Sequence, residues 1–312
     1  MSDYPPVELG TAAAGSRPLA RWKADLALVG ITLIWGATFV IVKRALADVS
    51  TLLFLALRFL LAGAALAMAA RGLRVSGRLV AASLQVGAAL FAGYVLQTAG
   101  LRFTTPSKSA FITGFSVVLV PLFAAAALRR FVGWGPVAGV AAAIAGLYLL
   151  TLPAGASGVN RGDLLTLGCA AAFALHILLI GRHSGRVPAS GLAAGQVLVA
   201  AALSGASLPW GPVFLRPSST LILAIVATAL LATALAFLVQ TWAQQYTTPT
   251  HTALIFTMEP VFALLTSWLV MGETFSGRAW GGAALILAGI LIAELSPRLS
   301  MKPAASGQDH LK

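Results

Sequence analysis

Ten apolar runs, each about 17 to 23 residues long, follow one another along the chain with short polar joins between them. They are Asp25–Val42, Thr51–Ala70, Leu79–Leu101, Ser109–Leu128, Trp134–Leu152, Asp163–Ile180, Ser190–Pro209, Thr220–Trp242, Thr252–Met271 and Ala279–Leu295. A helix of about 20 mostly apolar residues covers the roughly 30 Å of hydrocarbon in a bilayer. The pattern therefore predicts an all-α membrane protein with ten transmembrane helices. Residues 1–24 are polar, carry Pro5, Pro6 and Gly15, and read as a disordered cytoplasmic tail; residues 296–312 read as a second tail. The first run lacks a small-residue cleavage site at its end, so it is expected to stay in the mature protein.

The runs fall into two sets of five, residues 25–152 and 163–295. Asp25-Leu26 with Gly30 recurs as Asp163-Leu164 with Gly168, 138 residues on. Gln97-Thr98 and Phe103-Thr104-Thr105-Pro106 recur as Gln240-Thr241 and Tyr246-Thr247-Thr248-Pro249, now 143 on. Gly139 and Gly146 recur as Gly282 and Gly289 at the same offset. Pro121 and Pro260 are 139 apart, which predicts four extra residues, about one helical turn, in the fourth run. Five is odd, so the second set must lie upside down relative to the first. Inverted repeats with a site at their interface are the architecture of many secondary transporters.

Composition supports a lipid-embedded chain: 59% of the residues are hydrophobic and 10% charged, against about 25% charged in soluble domains. A net charge of +12 would point to nucleic acid in a soluble protein. Here the cations sit between apolar runs, as in loops facing an anionic membrane surface. The expected partner is the bilayer, not nucleic acid. With ten spans, 13 Lys and Arg lie on the side of both termini and 7 on the other, which places both termini in the cytoplasm. Cys169 is the only cysteine, so an internal disulfide and a cysteine metal cluster are both excluded. Neither a metal nor a cofactor is expected.

The polar residues inside the runs are the candidate chemistry. Glu259 stands about seven residues into the ninth run, roughly 10 Å deep. A charge at such depth costs about 2.5–3.5 kcal/mol on insertion scales. It could attract a cationic group or carry a proton; it could also be a packing carboxyl satisfied by hydroxyls. Arg58 lies at similar depth in the second run, where the other repeat has Gln196. The two could bracket a zwitterion, Arg58 taking a carboxylate and Glu259 an ammonium, or Arg58 could snorkel outward or bind backbone carbonyls.

Gln97 and Gln240 each follow an aromatic residue by three positions, Tyr94 and Phe237, which puts ring and amide on one helix face. That pairing suits the wall of a site for an amphipathic metabolite or hydrogen bonding between helices. His176 is either hydrogen-bonded core or a proton relay. Lys43, Arg44 and Lys108 border runs and read as snorkelling. Pro121 and Pro260 are expected to kink their helices, as gates or as bundle shape. Gly135 with Gly139, and Gly282 with Gly289, form small-residue faces for close helix contact inside the molecule.

Gly30-Ile-Thr-Leu-Ile-Trp35-Gly36-Ala-Thr-Phe39 in the first run, Met258-Glu259-Pro260 and Met271-Gly272-Glu273 in the ninth, and the duplicated five-helix unit resemble the EamA-type members of the drug/metabolite transporter superfamily. The resemblance covers roughly residues 25–295. It departs where the family often ends the fourth span in Gly-Glu and this chain reads Leu128-Arg129-Arg130. It implies a bacterial-type inner-membrane secondary transporter, an exporter of amino acids or related small metabolites, with protons as a conceivable coupling ion. The family motif around Trp35 favours a cavity-lining role for that ring over a packing role.

Two rival classes are an intramembrane enzyme and a channel-like subunit. No Walker A, H-E-x-x-H or G-x-S-x-G sequence is present, and no pair of mid-membrane carboxylates offers acid–base catalysis. No catalytic residue is assigned.

Overall fold

The computed structural model describes residues 18–104, 106–128, 134–151, 160–271 and 276–295. Their regular structure is helical, apart from isolated bridges pairing Val49 with Leu215 and Ser184 with Val187. In chain order the helices are α1 (Pro18–Ala45), α2 (Thr51–Ala69), α3 (Gly77–Leu101), α4 (Pro106–Gly114), α5 (Ser116–Leu128), α6 (Trp134–Thr151), α7 (Arg161–His183) and α8 (Ala189–Ala206). A 3-10 turn at Leu208–Trp210 precedes α9 (Ser219–Ala229), which runs through a π turn (Leu230–Leu235) into α10 (Ala236–Ala243). Then come α11 (Pro249–Phe256), α12 (Glu259–Met271) and α13 (Gly277–Leu295).

Six stretches are long and apolar enough to cross a membrane: Ala20–Ala45, α2, α3, α7, α8 and Ser219–Ala243. Shorter apolar helices cover Ile112–Ala127, Val137–Gly146 and Trp280–Gly289. Leu60, Leu164, Leu223 and Leu269 stand exposed on the outside of the bundle, an arrangement that lipid tolerates and water does not. Trp134 and Trp210, 81% and 82% exposed, lie at helix ends, as interfacial tryptophans do.

Polar residues at the joins start the helices. The Asn160 side chain accepts from the backbone N–H groups of Gly162 and Asp163, while Asp163 Oδ2 accepts from the Asn160 N–H at 2.9 Å, a reciprocal cap. Ser76, Ser218 and Thr248 accept from the third residue on, opening α3, α9 and α11.

Three expectations are corrected. Helix α1 begins at Pro18, inside the stretch read as a disordered tail. The fourth and ninth runs are not continuous spans: α4 gives way to α5 at Phe115, and α11 gives way to α12 at Thr257–Met258. The prolines do not mark these breaks as expected. Pro121 lies inside α5, and Pro260 is the second residue of α12, where a proline N–H would have had no helical partner anyway. Phe115 and Met258 are 143 apart, like Pro106 and Pro249, so the fourth run carries no extra turn. Pro121 and Pro260 are simply not equivalent, and the counterpart of Glu259 is Ser116.

Lys43 is the third correction. Its Nζ does not reach outward but donates to the carbonyls of Leu101, Arg102 and Thr104 at the end of α3, where helix carbonyls lack partners and the dipole favours a cation. Arg102, just past α3, donates to Thr51 Oγ1 and the Val49 carbonyl, each at 2.7 Å. Removal from water lowers its pKa, yet a guanidinium stays charged near neutrality.

Helix α6 lies along α13 through bare backbone. A Cβ on Gly146 would come within 2.7 Å of the Gly282 carbonyl, and one on Gly289 within 2.7 Å of the Gly139 carbonyl. Backbone cannot swing aside as a side chain can, so Gly146→Ala is expected to force the helices apart. The cost is about 1–3 kcal/mol, read as a lower thermal unfolding midpoint in detergent. Gly30→Ala is the control: its Cβ would meet nothing within 4 Å, and the midpoint should hold or rise with helix propensity. Residues Arg129, Arg130, Gly272 and Glu273, at the ends of the fourth and ninth runs, lie outside the described residues.

Candidate functional site

The candidate residues of the apolar runs meet in one cavity. It spans about 800 Å³, including space open to the outside, and all eight sequence candidates line it: Trp35, Arg58, Tyr94, Gln97, His176, Phe237, Gln240 and Glu259. The wall is built from α1, α2, α3, α4, α5, α7, α10, α11 and α12; none of its residues comes from α6 or α13.

The site pairs residues across the two sequence repeats. Trp35 and Phe173, Thr38 and His176, Tyr94 and Phe237, Gln97 and Gln240, Thr113 and Phe256, and Ser116 and Glu259 stand at the repeat offsets, and every one lines the cavity. Reading single residues missed Thr38, Thr113, Ser116, Phe173 and Phe256. The repeat itself was the signal that could have found them, since each is the counterpart of another wall residue. The two halves thus share these positions, most of them with different chemistry, while Arg58 lines the cavity and its counterpart Gln196 does not.

Arg58 is 3% exposed and faces inward. Its Nε donates to Thr233 Oγ1 at 2.7 Å, and Nη2 donates to Tyr94 Oη at 3.2 Å and to the Ala232 carbonyl at 3.3 Å. The guanidinium carbon lies 4.5 Å from the Tyr94 ring centroid. Of the readings open from sequence, snorkelling is set aside and carbonyl binding holds. Nη1 makes no hydrogen bond among the described residues.

Glu259 is the first residue of α12, so the carboxylate sits at the positive end of a half-helix. Its backbone is held by α1: a Cβ on Gly36 would lie 2.6 Å from the Glu259 carbonyl and 2.9 Å from the Ala263 nitrogen, so only glycine permits this approach. A helix N-terminus stabilises an anion by about 0.3–1 kcal/mol, less than the roughly 2.5–3.5 kcal/mol a charge costs at depth. No hydrogen bond or ion pair to this carboxyl occurs among the described residues. A counter-charge in the cavity or a proton on the carboxyl offsets the difference.

The amides are partly committed. Gln97 Nε2 donates to Thr113 Oγ1 at 3.2 Å, joining α3 to α4. Gln240 Nε2 donates to Gln244 Oε1 at 3.1 Å, and Gln244 Nε2 to the Ile177 carbonyl at 2.9 Å. Gln240 Oε1 is buried without a partner. His176 Nε2 lies 2.7 Å from Gln196 Oε1, and Gln196 Nε2 donates to Thr241 Oγ1, so this histidine is both hydrogen-bonded and on the cavity wall.

Aromatic rings supply the apolar surface. Trp35 meets Phe256 edge-on at 5.0 Å and Phe237 at 5.8 Å; Tyr94 meets Phe173 at 5.4 Å and Phe237 at 6.1 Å. Such pairs add about 0.5–1.5 kcal/mol each beyond area burial, so these rings form a stiff lining. Trp35 Nε1 donates to the Ala232 carbonyl at 2.8 Å, the same oxygen that receives Arg58.

The model of the EamA-like transporter family matches this chain twice, over residues 22–152 and 160–295. An uncharacterised transporter of Archaeoglobus fulgidus is 34% identical over 281 residues, which span 90% of this chain and 89% of that protein. A protein of known crystal structure, 23% identical, superimposes with a TM-score of 0.74 over 88% of this chain and 97% of its own, a likeness of fold. The doubled match and the relative's near-complete coverage make the chain a multi-pass membrane protein of the EamA-like transporter family.

Proposed function

We propose that the chain is a secondary transporter that moves small zwitterionic metabolites, amino acids foremost, by alternating access to this cavity. One observation carries the reading: a guanidinium and a carboxylate line the same cavity and form no ion pair with each other among the described residues. Opposite charges kept apart at low dielectric leave a site of zero net charge, and a ligand with its own two charges satisfies both without adding a third. Arg58 takes the carboxylate; Glu259 and the unpartnered Gln240 Oε1 take the ammonium; the rings take the body. Glu259 is also the group at which a proton exchanges against substrate.

The architecture we assign is ten spans in two inverted five-helix repeats, residues 25–152 and 163–295. In favour are the residue pairs on the cavity wall and the crosswise glycine contact between α6 and α13. The fourth and ninth spans are then the broken pairs α4–α5 and α11–α12, and broken helices at mid-membrane are where transporter sites are built. The lysine and arginine bias puts both termini in the cytoplasm of an inner membrane, with export as the direction.

The test is counterflow: proteoliposomes preloaded with one unlabelled amino acid at a time take up the same amino acid, labelled, from outside, across a panel. Saturable exchange of at least one member, competed by its own unlabelled form, is expected. A panel in which nothing moves, while the purified protein stays folded, sinks the amino-acid assignment. Non-saturable flux would mean a channel.

A further inference from the structure

The π turn at Leu230–Leu235 is a one-residue insertion, and its position can be counted. Ser76 and Ser218 cap α3 and α9 in the same way and are 142 apart, whereas Gln97 and Gln240, further along the same helices, are 143 apart. The second repeat therefore has one more residue between cap and glutamine. A helix absorbs a single extra residue as a π turn, and such turns concentrate at functional sites. In the first repeat the matching stretch of α3 is uninterrupted.

The insertion changes what this helix offers the cavity. Within the π turn the Ala232 carbonyl accepts from Trp35 Nε1 and Arg58 Nη2. Thr233 Oγ1 accepts from Arg58 Nε while donating to the Thr228 carbonyl, five residues back, at 2.7 Å. The hydroxyl proton is thus spent within the helix, and its lone pair is turned to the guanidinium. Thr233 is fully buried.

We propose that the π turn is the element that makes Arg58 a carboxylate receptor, with Thr233 its positioning residue. Two of the three guanidinium nitrogens are fixed from behind by Thr233, Ala232 and Tyr94, which sets the plane of the group and leaves Nη1 for the ligand. A guanidinium so held meets a carboxylate with its geometry already decided. Without the Thr233 oxygen, Nε would seek another acceptor and the plane would turn. This inference rests on the zwitterion reading above and assigns the residue that enforces it.

The experiment compares competition by a zwitterion and by the matching amine that lacks the carboxylate: phenylalanine against phenethylamine, and leucine against isopentylamine. Native protein, Thr233→Val, Thr233→Ala and Thr233→Ser are reconstituted in parallel. The native protein should prefer the zwitterion. Thr233→Val, close in shape but without the acceptor, should lower that preference by about tenfold, the worth of one hydrogen bond to a charged group. Affinity for the amine should be unchanged, and Thr233→Ser should restore the preference. Thr233→Ala repeats the test with no added atoms should the valine variant misfold. A native preference retained in both hydroxyl-less variants overturns the role of the π turn and leaves the transporter reading intact. No preference in the native protein overturns the zwitterion reading and this inference with it.

Discussion

Efflux through Glu259→Gln should fall steeply and stop responding to the proton gradient. The amide keeps the size and the hydrogen-bonding oxygen of the side chain but loses the charge. A charge-assisted hydrogen bond contributes about 1.5–3 kcal/mol, so the concentration for half-maximal transport should rise roughly 10- to 150-fold. The second effect separates binding from coupling: the native protein should export faster when protons run inward, whereas the variant should be indifferent. Efflux from labelled proteoliposomes at two pH gradients reads both. Because Glu259 opens α12 and makes no hydrogen bond or ion pair among the described residues, fold stability should change little. A variant that exports normally and still follows the gradient would make the carboxyl structural, and Gln97, Gln240 and Trp35 would become the residues to test next.

Arg58→Lys is the second large effect, and it divides differently. Lysine keeps the positive charge but has one nitrogen where arginine has three in a fixed plane. It cannot hold Thr233, Tyr94 and Ala232 together and still present a free donor. Three lost hydrogen bonds, at about 0.6 kcal/mol apiece in a membrane bundle, amount to roughly 2 kcal/mol, so the thermal midpoint should drop. Affinity for carboxylate-bearing ligands should drop about tenfold or more, because an ammonium that satisfies Thr233, Tyr94 and Ala232 has no donor left to take the place of Nη1. Unfolding in detergent and counterflow on the same preparation read the two losses separately. Unchanged selectivity together with a lowered midpoint would reduce Arg58 to a packing residue.

The pattern of apolar runs carried most of the architecture because lipid leaves a chain few options. A polar residue deep in an apolar run has to turn inward, so eight residues picked one at a time converge on one cavity. What the pattern could not convey were features set by backbone. Hydropathy does not register the single residue that turns part of the eighth run into a π turn, since Leu230–Leu235 is apolar apart from Thr233 in any conformation. The breaks at Phe115 and Thr257–Met258 lie off Pro121 and Pro260, whose missing N–H is the strongest kink signal in these apolar runs. A cation at the end of an apolar run, such as Lys43, reads as snorkelling because its true partners are carbonyls, and a carbonyl has no letter in the sequence. Thr233 gives no signal in the sequence for the same reason: its meaning lies in Thr228 and Arg58.

The glycine contact between α6 and α13 has a consequence for how such a chain could arise. Gly146 meets Gly282, and Gly289 meets Gly139; by the repeat, Gly282 is the counterpart of Gly139, and Gly289 of Gly146. Each half therefore offers the other one and the same patch, as two identical subunits do across a twofold axis. A lone five-helix ancestor with these glycines would already have carried a self-complementary surface, and two copies inserted in opposite senses could have joined through it before any gene fusion. On the inverted architecture proposed above, halves joined in one chain are free to differ: Ser116 is a hydroxyl where its twin is Glu259, and Gln196 is neutral where its twin is Arg58. A dimer of identical chains must place every charge twice. A fused one can place each charge once, and a cavity with two different ends is the result.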